Sequence, residues 1–82
     1  MNIETTTTLS LSHLHIGQSA TIDSIDLRLD AKVRERLLVL GFVPGSLISA
    51  VRRAPFGDPT EFEVRGSRIS LRKSETQFIL IS

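Results

Sequence analysis

The 82-residue chain contains no cysteine, no tryptophan and no tyrosine. Without cysteine it can form neither a disulfide nor a thiolate-bound metal site, the two usual supports of so short a domain. Without tyrosine and tryptophan it lacks the aromatic groove that grips proline-rich peptides, and only four phenylalanines remain to stack on single-stranded nucleic acid. Both kinds of binding are therefore disfavoured.

An excess of one charge is also missing, since ten basic residues face nine acidic ones and the net charge is +1. This balance argues against a nucleic-acid partner, because proteins that bind phosphate backbones are usually strongly basic. No apolar run approaches the roughly 20 residues of a membrane span, and the first residues lack the pattern of a secretion signal. We expect a cytoplasmic protein without membrane insertion, with a flexible tail over residues 1–8 and a single domain over 9–82.

The clearest element is an amphipathic helix, which the sequence predicts over residues 31–40. Asp30 is a good N-cap, because its carboxylate can accept hydrogen bonds from the free N–H groups of the first turn. Gly41 supplies the left-handed residue that ends a helix, and Phe42 is placed to pack back on Leu37, as in a Schellman motif.

The rest of the chain has strand and turn character. Pro44-Gly45 predicts a type II turn, since glycine tolerates the positive φ of the third turn position. Ser74-Glu75 can start a single helical turn, and residues 9–16 fit either a strand or one helical turn. Apolar alternation and β-branched content predict strands over residues 18–25, 46–53 and 77–81.

Residues 61–73 predict a β-hairpin. With Gly66-Ser67 as a two-residue type II′ turn, the register across the strands is fixed. This register places Arg65 opposite Arg68, which is an unfavourable like-charge pair. It pairs Val64 with Ile69, Phe62 with Leu71, and Glu61 with Arg72.

Five strands with one α-helix inserted after the first strand indicate a mainly β fold. Because closing a short sheet removes edges that a small chain cannot otherwise protect, we predict a small antiparallel β-barrel. SH3-like and OB-type barrels both fit this order of elements.

A search for catalytic motifs finds no phosphate-binding loop and no histidine with a carboxylate partner on a well-predicted element. We therefore predict no enzymatic activity and no cofactor. His13 and His15 would face the same way on a strand and could chelate a metal, but two ligands are too few for a structural site. A free-standing divalent-metal sensor that uses these two histidines remains the alternative function.

The segment 54–59 reads Ala-Pro-Phe-Gly-Asp-Pro and predicts a structured loop, because its prolines cannot donate to a strand ladder. Such a loop is stiff and loses little entropy when it docks on a partner. Phe56 either stands exposed at the tip or folds inward, and the sequence leaves both orientations open. The candidate partner-binding residues are Pro55, Phe56, Gly57, Asp58 and Pro59.

Three segments also carry a family resemblance. The first is residues 36–45, which contain Leu40-Gly41-Phe42-Val43-Pro44-Gly45. The second is residues 53–59, and the third is residues 69–75, which contain Leu71-Arg72-Lys73. In these motifs the chain resembles the ferrous iron transport protein A (FeoA) family, from about Leu9 to Ile81. The resemblance implies an SH3-like β-barrel with a helical insertion. It also implies a small cytoplasmic protein that accompanies a large ferrous iron membrane transporter with a GTP-binding domain.

From this resemblance we expect a non-enzymatic interaction module of bacterial ferrous iron uptake, which binds the cytoplasmic part of the transporter and supports or regulates it. The loop residues would contact that partner. Leu37, Gly41, Pro44 and Gly45 would maintain the fold, and the oligomeric state stays open.

Overall fold

The computed structural model describes residues 9–82, and the predicted tail over residues 1–8 lies outside this range. Within it the chain is mainly β, as predicted, with six strands and two short helices. In order, the elements are β1 (Leu9–Ser10), a 3₁₀ turn (Leu11–His13), β2 (Ser19–Ile25), α1 (Ala31–Val39), β3 (Leu47–Arg53), β4 (Thr60–Val64), β5 (Ser67–Leu71), α2 (Lys73–Thr76) and β6 (Ile79–Ile81).

The strands form one antiparallel sheet in the order β1-β6-β2-β3-β4-β5. Residues 9–16 contribute both structures that their pattern allowed, because β1 pairs with β6 and the 3₁₀ turn follows it. The predicted five strands thus become six, and α1 follows the second strand rather than the first. Register shifts after Ile22 in β2 and after Ala50 in β3 bend the sheet, as β-bulges do.

Helix α1 begins directly after Asp30, as predicted. The Asp30 carboxylate accepts hydrogen bonds from the backbone N–H of Lys32 at 3.0 Å and of Val33 at 3.3 Å. Two of the N–H groups that a helix leaves without partners at its start are thereby satisfied. The side chain of Arg34 donates to the carbonyl oxygen of Leu29 at 2.7 Å and holds the helix to the chain that enters it.

The end of α1 has the predicted Schellman geometry, with Leu40 as the C-cap one residue earlier than expected. The N–H of Phe42 donates to the carbonyl of Leu37 at 3.0 Å, and the N–H of Gly41 donates to that of Leu38 at 3.1 Å. Leu37 and Phe42 are both fully buried in the same apolar cluster, so the predicted packing is confirmed.

The turn at Pro44-Gly45 is also confirmed and connects α1 to the sheet. Gly45 has φ +91°, and the N–H of Ser46 donates to the carbonyl of Val43 at 3.0 Å. The N–H of Gly45 donates to the carbonyl of Ile22 at 2.8 Å, so the turn is fixed against β2.

The predicted register of the hairpin is wrong. Its turn is Arg65-Gly66 rather than Gly66-Ser67, and φ is positive at both residues (51° and 82°), as a type I′ turn requires. The observed pairs are Thr60 with Leu71, Glu61 with Ser70, Phe62 with Ile69, Glu63 with Arg68, and Val64 with Ser67.

The pairing of charges across the strands explains this difference. In the observed register Arg65 lies in the turn and no longer opposes Arg68, whose Nε is 3.5 Å from Oε1 of Glu63.

The predicted pair of Glu61 with Arg72 does not form either. Glu61 instead contacts Arg52 of the neighbouring strand β3, with 3.1 Å between Oε1 and Nη2. The observed register differs from the predicted one by two residues, so the inward faces stay as predicted, and Phe62 and Leu71 are buried.

A single apolar cluster forms the core, and every strand except β1 contributes to it or packs against it. The predicted helical turn at Ser74-Glu75 is α2, in which Oε1 of Glu75 accepts the N–H of Arg72 at 2.9 Å. Because α2 extends to Thr76, β6 begins two residues later than expected. No helix in residues 9–82 combines the length and the apolarity that crossing a membrane requires. The buried core residues are Leu11, Leu14, Ile22, Leu29, Leu37, Phe42, Ile48, Ala50, Phe62, Val64, Leu71, Ile79 and Ile81.

Candidate docking site

The loop between β3 and β4 is fixed by hydrogen bonds at its base, its tip and its side. At the base, the N–H of Ala54 donates to the carbonyl of Pro59 at 2.9 Å. At the tip, the N–H of Gly57 donates to the carbonyl of Ala54 at 2.8 Å. At the side, the carboxylate of Asp58 accepts the N–H of Lys73 at 2.9 Å, which joins the loop to the start of α2. The loop is thus structured, as predicted.

Phe56 stands at the tip of this loop with 98% of its surface exposed. Of the two orientations that the sequence left open, the structure shows the exposed one. Pro55 precedes it within the turn and fixes its own φ near −65°, which limits the freedom of the tip. An aromatic ring in this position adds nothing to the core. Its apolar surface can instead be buried by contact with another molecule.

A cleft of about 230 Å³ lies beside the loop. The buried side chains of Leu11, Phe62 and Leu71 form its floor, while the exposed residues Arg53 and Lys73 stand at its rim. The full lining comprises Leu11, Ser12, Leu14, Arg53, Gly57, Asp58, Thr60, Phe62, Leu71, Lys73 and Thr76.

The residues that we assigned to fold maintenance lie where α1 ends and turns back to the sheet. Leu37 is fully buried, and Pro44 and Gly45 form the type II turn. Gly41 has φ +107°, and a Cβ built there would collide with the side chain of Arg65 in the β4–β5 turn. Glycine at position 41 therefore serves both the helix end and the approach of the hairpin.

His13 and His15 are both exposed and do not share a strand. His13 ends the 3₁₀ turn, where its Nδ1 is 3.2 Å from the hydroxyl of Ser10. His15 follows the turn, and its backbone N–H donates to the side chain of Gln18 at 2.9 Å. Among residues 9–82 there is no group of three or more His, Cys, Asp or Glu side chains that could hold a metal ion. Metal binding at these histidines stays the untested alternative.

An ion pair that shifts the pKa of both of its partners lies away from the loop, in the connection from β2 to α1. Side-chain hydrogen bonds from Arg28 lower the pKa of Asp26 below its ordinary value of 3.8, and the same contact raises the pKa of Arg28. The shortest of these bonds joins Nη2 of Arg28 to Oδ2 of Asp26 at 2.8 Å. The guanidinium also lies 5.5 Å from the ring centroid of Phe78, within the range of a cation–π contact.

The cleft is the feature that the sequence did not reveal. Its lining comes from the 3₁₀ turn and the residue that follows it, the end of β3, the β3–β4 loop, β4, β5 and α2, which no local pattern relates to one another. The bond between Asp58 and the backbone of Lys73 depends on the same tertiary arrangement. Only the hairpin pattern, which placed Phe62 and Leu71 on one inward face, hinted at part of the floor.

The bent antiparallel sheet and its inserted helix place this chain in the class of small SH3-like β-barrel proteins. Comparison with known proteins identifies its family. The FeoA domain model matches residues 9–82, and the chain therefore belongs to the FeoA domain family, which confirms the resemblance seen in its motifs.

Individual relatives agree with this assignment. An Fe(2+) transport protein A/Fe(2+) transporter FeoB fusion protein of Porphyromonas gingivalis is 36% identical over 67 residues, which cover 82% of this chain and 8% of that protein. The chain thus spans only a small part of the length of this curated relative.

Two solved structures of FeoA proteins share the fold. The solution structure of FeoA from Chlorobium tepidum superposes with a TM-score of 0.83 at 34% identity, over 89% of this chain and 68% of that one. The crystal structure of Stenotrophomonas maltophilia FeoA with zinc, a prokaryotic SH3 domain protein, superposes with a TM-score of 0.80 at 33% identity, over 90% and 89%.

Proposed function

We propose that this chain is a cytoplasmic accessory protein of bacterial ferrous iron uptake. It docks on the cytoplasmic part of a GTP-dependent Fe(II) membrane transporter and supports or regulates it by protein–protein contact, without catalysing a reaction itself. Membership of the FeoA family supports the link to iron transport. The fusion of the two kinds of protein in the Porphyromonas gingivalis relative supports an association with the transporter.

The observation that carries the docking site is the exposure of Phe56 on a loop that is fixed before any partner binds. A preorganised loop loses little conformational entropy on association, so more of the contact energy appears as affinity. Aromatic anchors of this kind frequently dominate interfaces. Pro55, Gly57, Asp58 and Pro59 shape the loop that presents the ring.

The test is a pull-down of the purified chain with the transporter's cytoplasmic domains. Fully burying a phenylalanine side chain is worth about 1.5–3 kcal/mol, so Phe56→Ala should weaken binding about 10- to 150-fold. Val39→Ala is a matched control, because Val39 is also largely exposed but lies at the end of α1. Equal retention of the Phe56→Ala variant and the wild-type chain would refute the loop as the docking site.

A further inference from the structure

The side of α1 that faces the solvent carries a shallow depression with the form of a helix-packing site. Its lining residues are Ala31, Arg34, Glu35, Leu38 and Lys32. The first four are spaced i, i+3, i+4 and i+7, so they are neighbours on one face of the helix. Four residues in this arrangement form the hole that receives a side chain from a facing helix in knobs-into-holes packing. This face of α1 therefore has the surface relief that a second helix requires.

Apolar surface on this side of α1 is accessible to a partner. Leu38, in the wall of the depression, is 43% exposed, and Ala31 is exposed as well. Leu27, in the chain that enters α1, is 80% exposed, and its carbonyl accepts a hydrogen bond from Nη1 of Arg34 at 3.2 Å. Because Leu38 follows Arg34 by one helical turn, both leucines lie beside this arginine. A molecule that covered them would remove apolar surface from water, which is favourable.

The free charges around the depression match those of a second copy of the chain. The guanidinium group of Arg34 is engaged, since it donates to the carbonyls of Leu27 and of Leu29, the latter at 2.7 Å. Lys32 and Glu35 are both exposed, and neither takes part in an ion pair among residues 9–82. One cation and one carboxylate are thus left on the same face. A partner of one charge sign would satisfy only one of them, whereas a second α1 brings one of each.

An antiparallel arrangement pairs these charges, and a parallel one does not. In a parallel two-fold pair each residue lies opposite its own copy, so Lys32 would face Lys32. In an antiparallel pair Lys32 lies opposite Glu35 of the second copy, and the symmetry repeats this pair. The same register places Ala31 over the depression of the second copy and Leu38 beside its Leu27. Because alanine is small, the two helices can approach to the short end of the usual distance of about 8–10 Å between helix axes.

We infer that the exposed face of α1 is a self-association surface, on which two copies of this chain pack their α1 helices antiparallel around a two-fold axis. Ala31 of each copy inserts into the depression of the other, Lys32 pairs with Glu35, and Leu38 covers Leu27. The helix has nine residues and is about 14 Å long, too short to bury the roughly 1,200 Å² of a stable interface, so the dimer is weak and reversible. The surface shares no residue with the loop 54–59, and the inference does not depend on docking to a transporter.

The test uses two charge-reversed variants of the full chain. Lys32→Glu leaves two carboxylates on this face, and Glu35→Lys leaves two ammonium groups. Alone, each variant should dimerise up to about 25-fold more weakly than the wild-type chain, because an exposed ion pair contributes up to about five-fold and occurs twice. An equimolar mixture should recover the wild-type association, since opposite charges then meet. Sedimentation velocity from micromolar to millimolar concentration measures the mass, and circular dichroism checks the fold.

Nuclear magnetic resonance locates the contact and its direction. As the concentration of the ¹⁵N-labelled chain rises, the amides of residues 31–38 should shift. In a mixture of labelled and unlabelled chains, intermolecular NOEs should join Leu38 of one copy to Leu27 of the other. Leu38→Gln should weaken the dimer, whereas Leu47→Gln, which removes a more exposed leucine from β3, is the matched control and should not.

Four results would overturn the inference. The chain could stay monomeric at millimolar concentration, or the mixture of the two charge variants could associate no better than each variant alone. Intermolecular NOEs from Leu38 to Leu38 would show a different packing. Shifts at residues 31–38 that arise only on addition of the transporter's cytoplasmic domains would assign this face to the transporter instead of a second copy.

Discussion

Replacing Gly41 by alanine tests the account of how α1 ends and how the hairpin packs against it. At φ +107° any L-residue is strained, at a cost of about 1–2 kcal/mol. The new Cβ would also collide with Cγ and Cδ of Arg65, and displacing that side chain from its rotamer costs about 0.5–1.5 kcal/mol. The free energy of unfolding should therefore fall by about 1.5–3.5 kcal/mol.

Thermal denaturation followed by circular dichroism measures this effect. For a domain of this size, about 1 kcal/mol shifts the Tm by 4–8 °C, so Gly41→Ala should lower the Tm by at least about 6 °C. Gly45→Ala is the matched control, because Gly45 has φ +91° but nothing within 4 Å of a built Cβ. Gly45→Ala should lower the Tm only by the cost of the backbone strain, without the cost of a collision.

A double variant isolates the contact with Arg65. Arg65→Ala removes Cγ and Cδ and leaves its Cβ at 3.5 Å from the built Cβ of position 41, which is an ordinary contact. Gly41→Ala should therefore cost about 0.5–1.5 kcal/mol less in the Arg65→Ala background. The reasoning is refuted if Gly41→Ala leaves the Tm unchanged, or if Arg65→Ala does not alter its effect.

The remaining predictions concern the N-cap, acid stability and metal. Asp30→Ala should lower the free energy of unfolding by about 1 kcal/mol in thermal or urea denaturation, whereas Asp30→Asn, which can still cap, should cost much less; equal losses would contradict the capping role. Because Arg28 lowers the pKa of Asp26 in the folded state, their contact contributes stability above pH 3.8, and this contribution is lost as the pH falls below that value through the folded-state pKa. Asp26→Asn should therefore lower the Tm slightly above pH 3.8 and leave it unchanged well below the folded-state pKa, which flattens the acid part of the Tm–pH profile, and an unaltered acid slope would refute this. Calorimetry with Zn(II) should show no tight, saturable binding that a His13→Ala/His15→Ala variant abolishes, since two imidazoles form an incomplete ligand set; such a loss would favour the metal sensor.

The sequence predicted best those features that neighbouring residues determine. Asp30 caps α1, Gly41 ends it, and Pro44-Gly45 turns the chain back, because each depends on the conformational preferences of residues close together in the chain.

The prediction of the hairpin register failed because two turn types fit the local sequence and differ only in the side-chain pairs that they create across the strands. Gly66 fits the first position of a type II′ turn and the second of a type I′ turn equally well. The pairing of Glu63 with Arg68, and the removal of Arg65 from the strand, favour the second solution. The sequence already showed the disadvantage of the predicted register, because that register places Arg65 opposite Arg68.

The candidate site was predicted only in part, for a similar reason. The proline pattern indicated the loop, but the exposure of Phe56 depends on how the loop packs beside α2. The cleft was not predicted, because elements from both ends of the described chain meet there only in the folded sheet.

The most direct test of the docking proposal is a map of the surface that the transporter covers. The ¹⁵N-labelled chain is titrated with the soluble cytoplasmic part of the transporter, and the amides that shift or broaden are located on the structure. The account predicts that these amides cluster at residues 54–58 and at the adjacent start of α2. A cluster at the exposed end of α1 around Val39, with the loop unaffected, would contradict it.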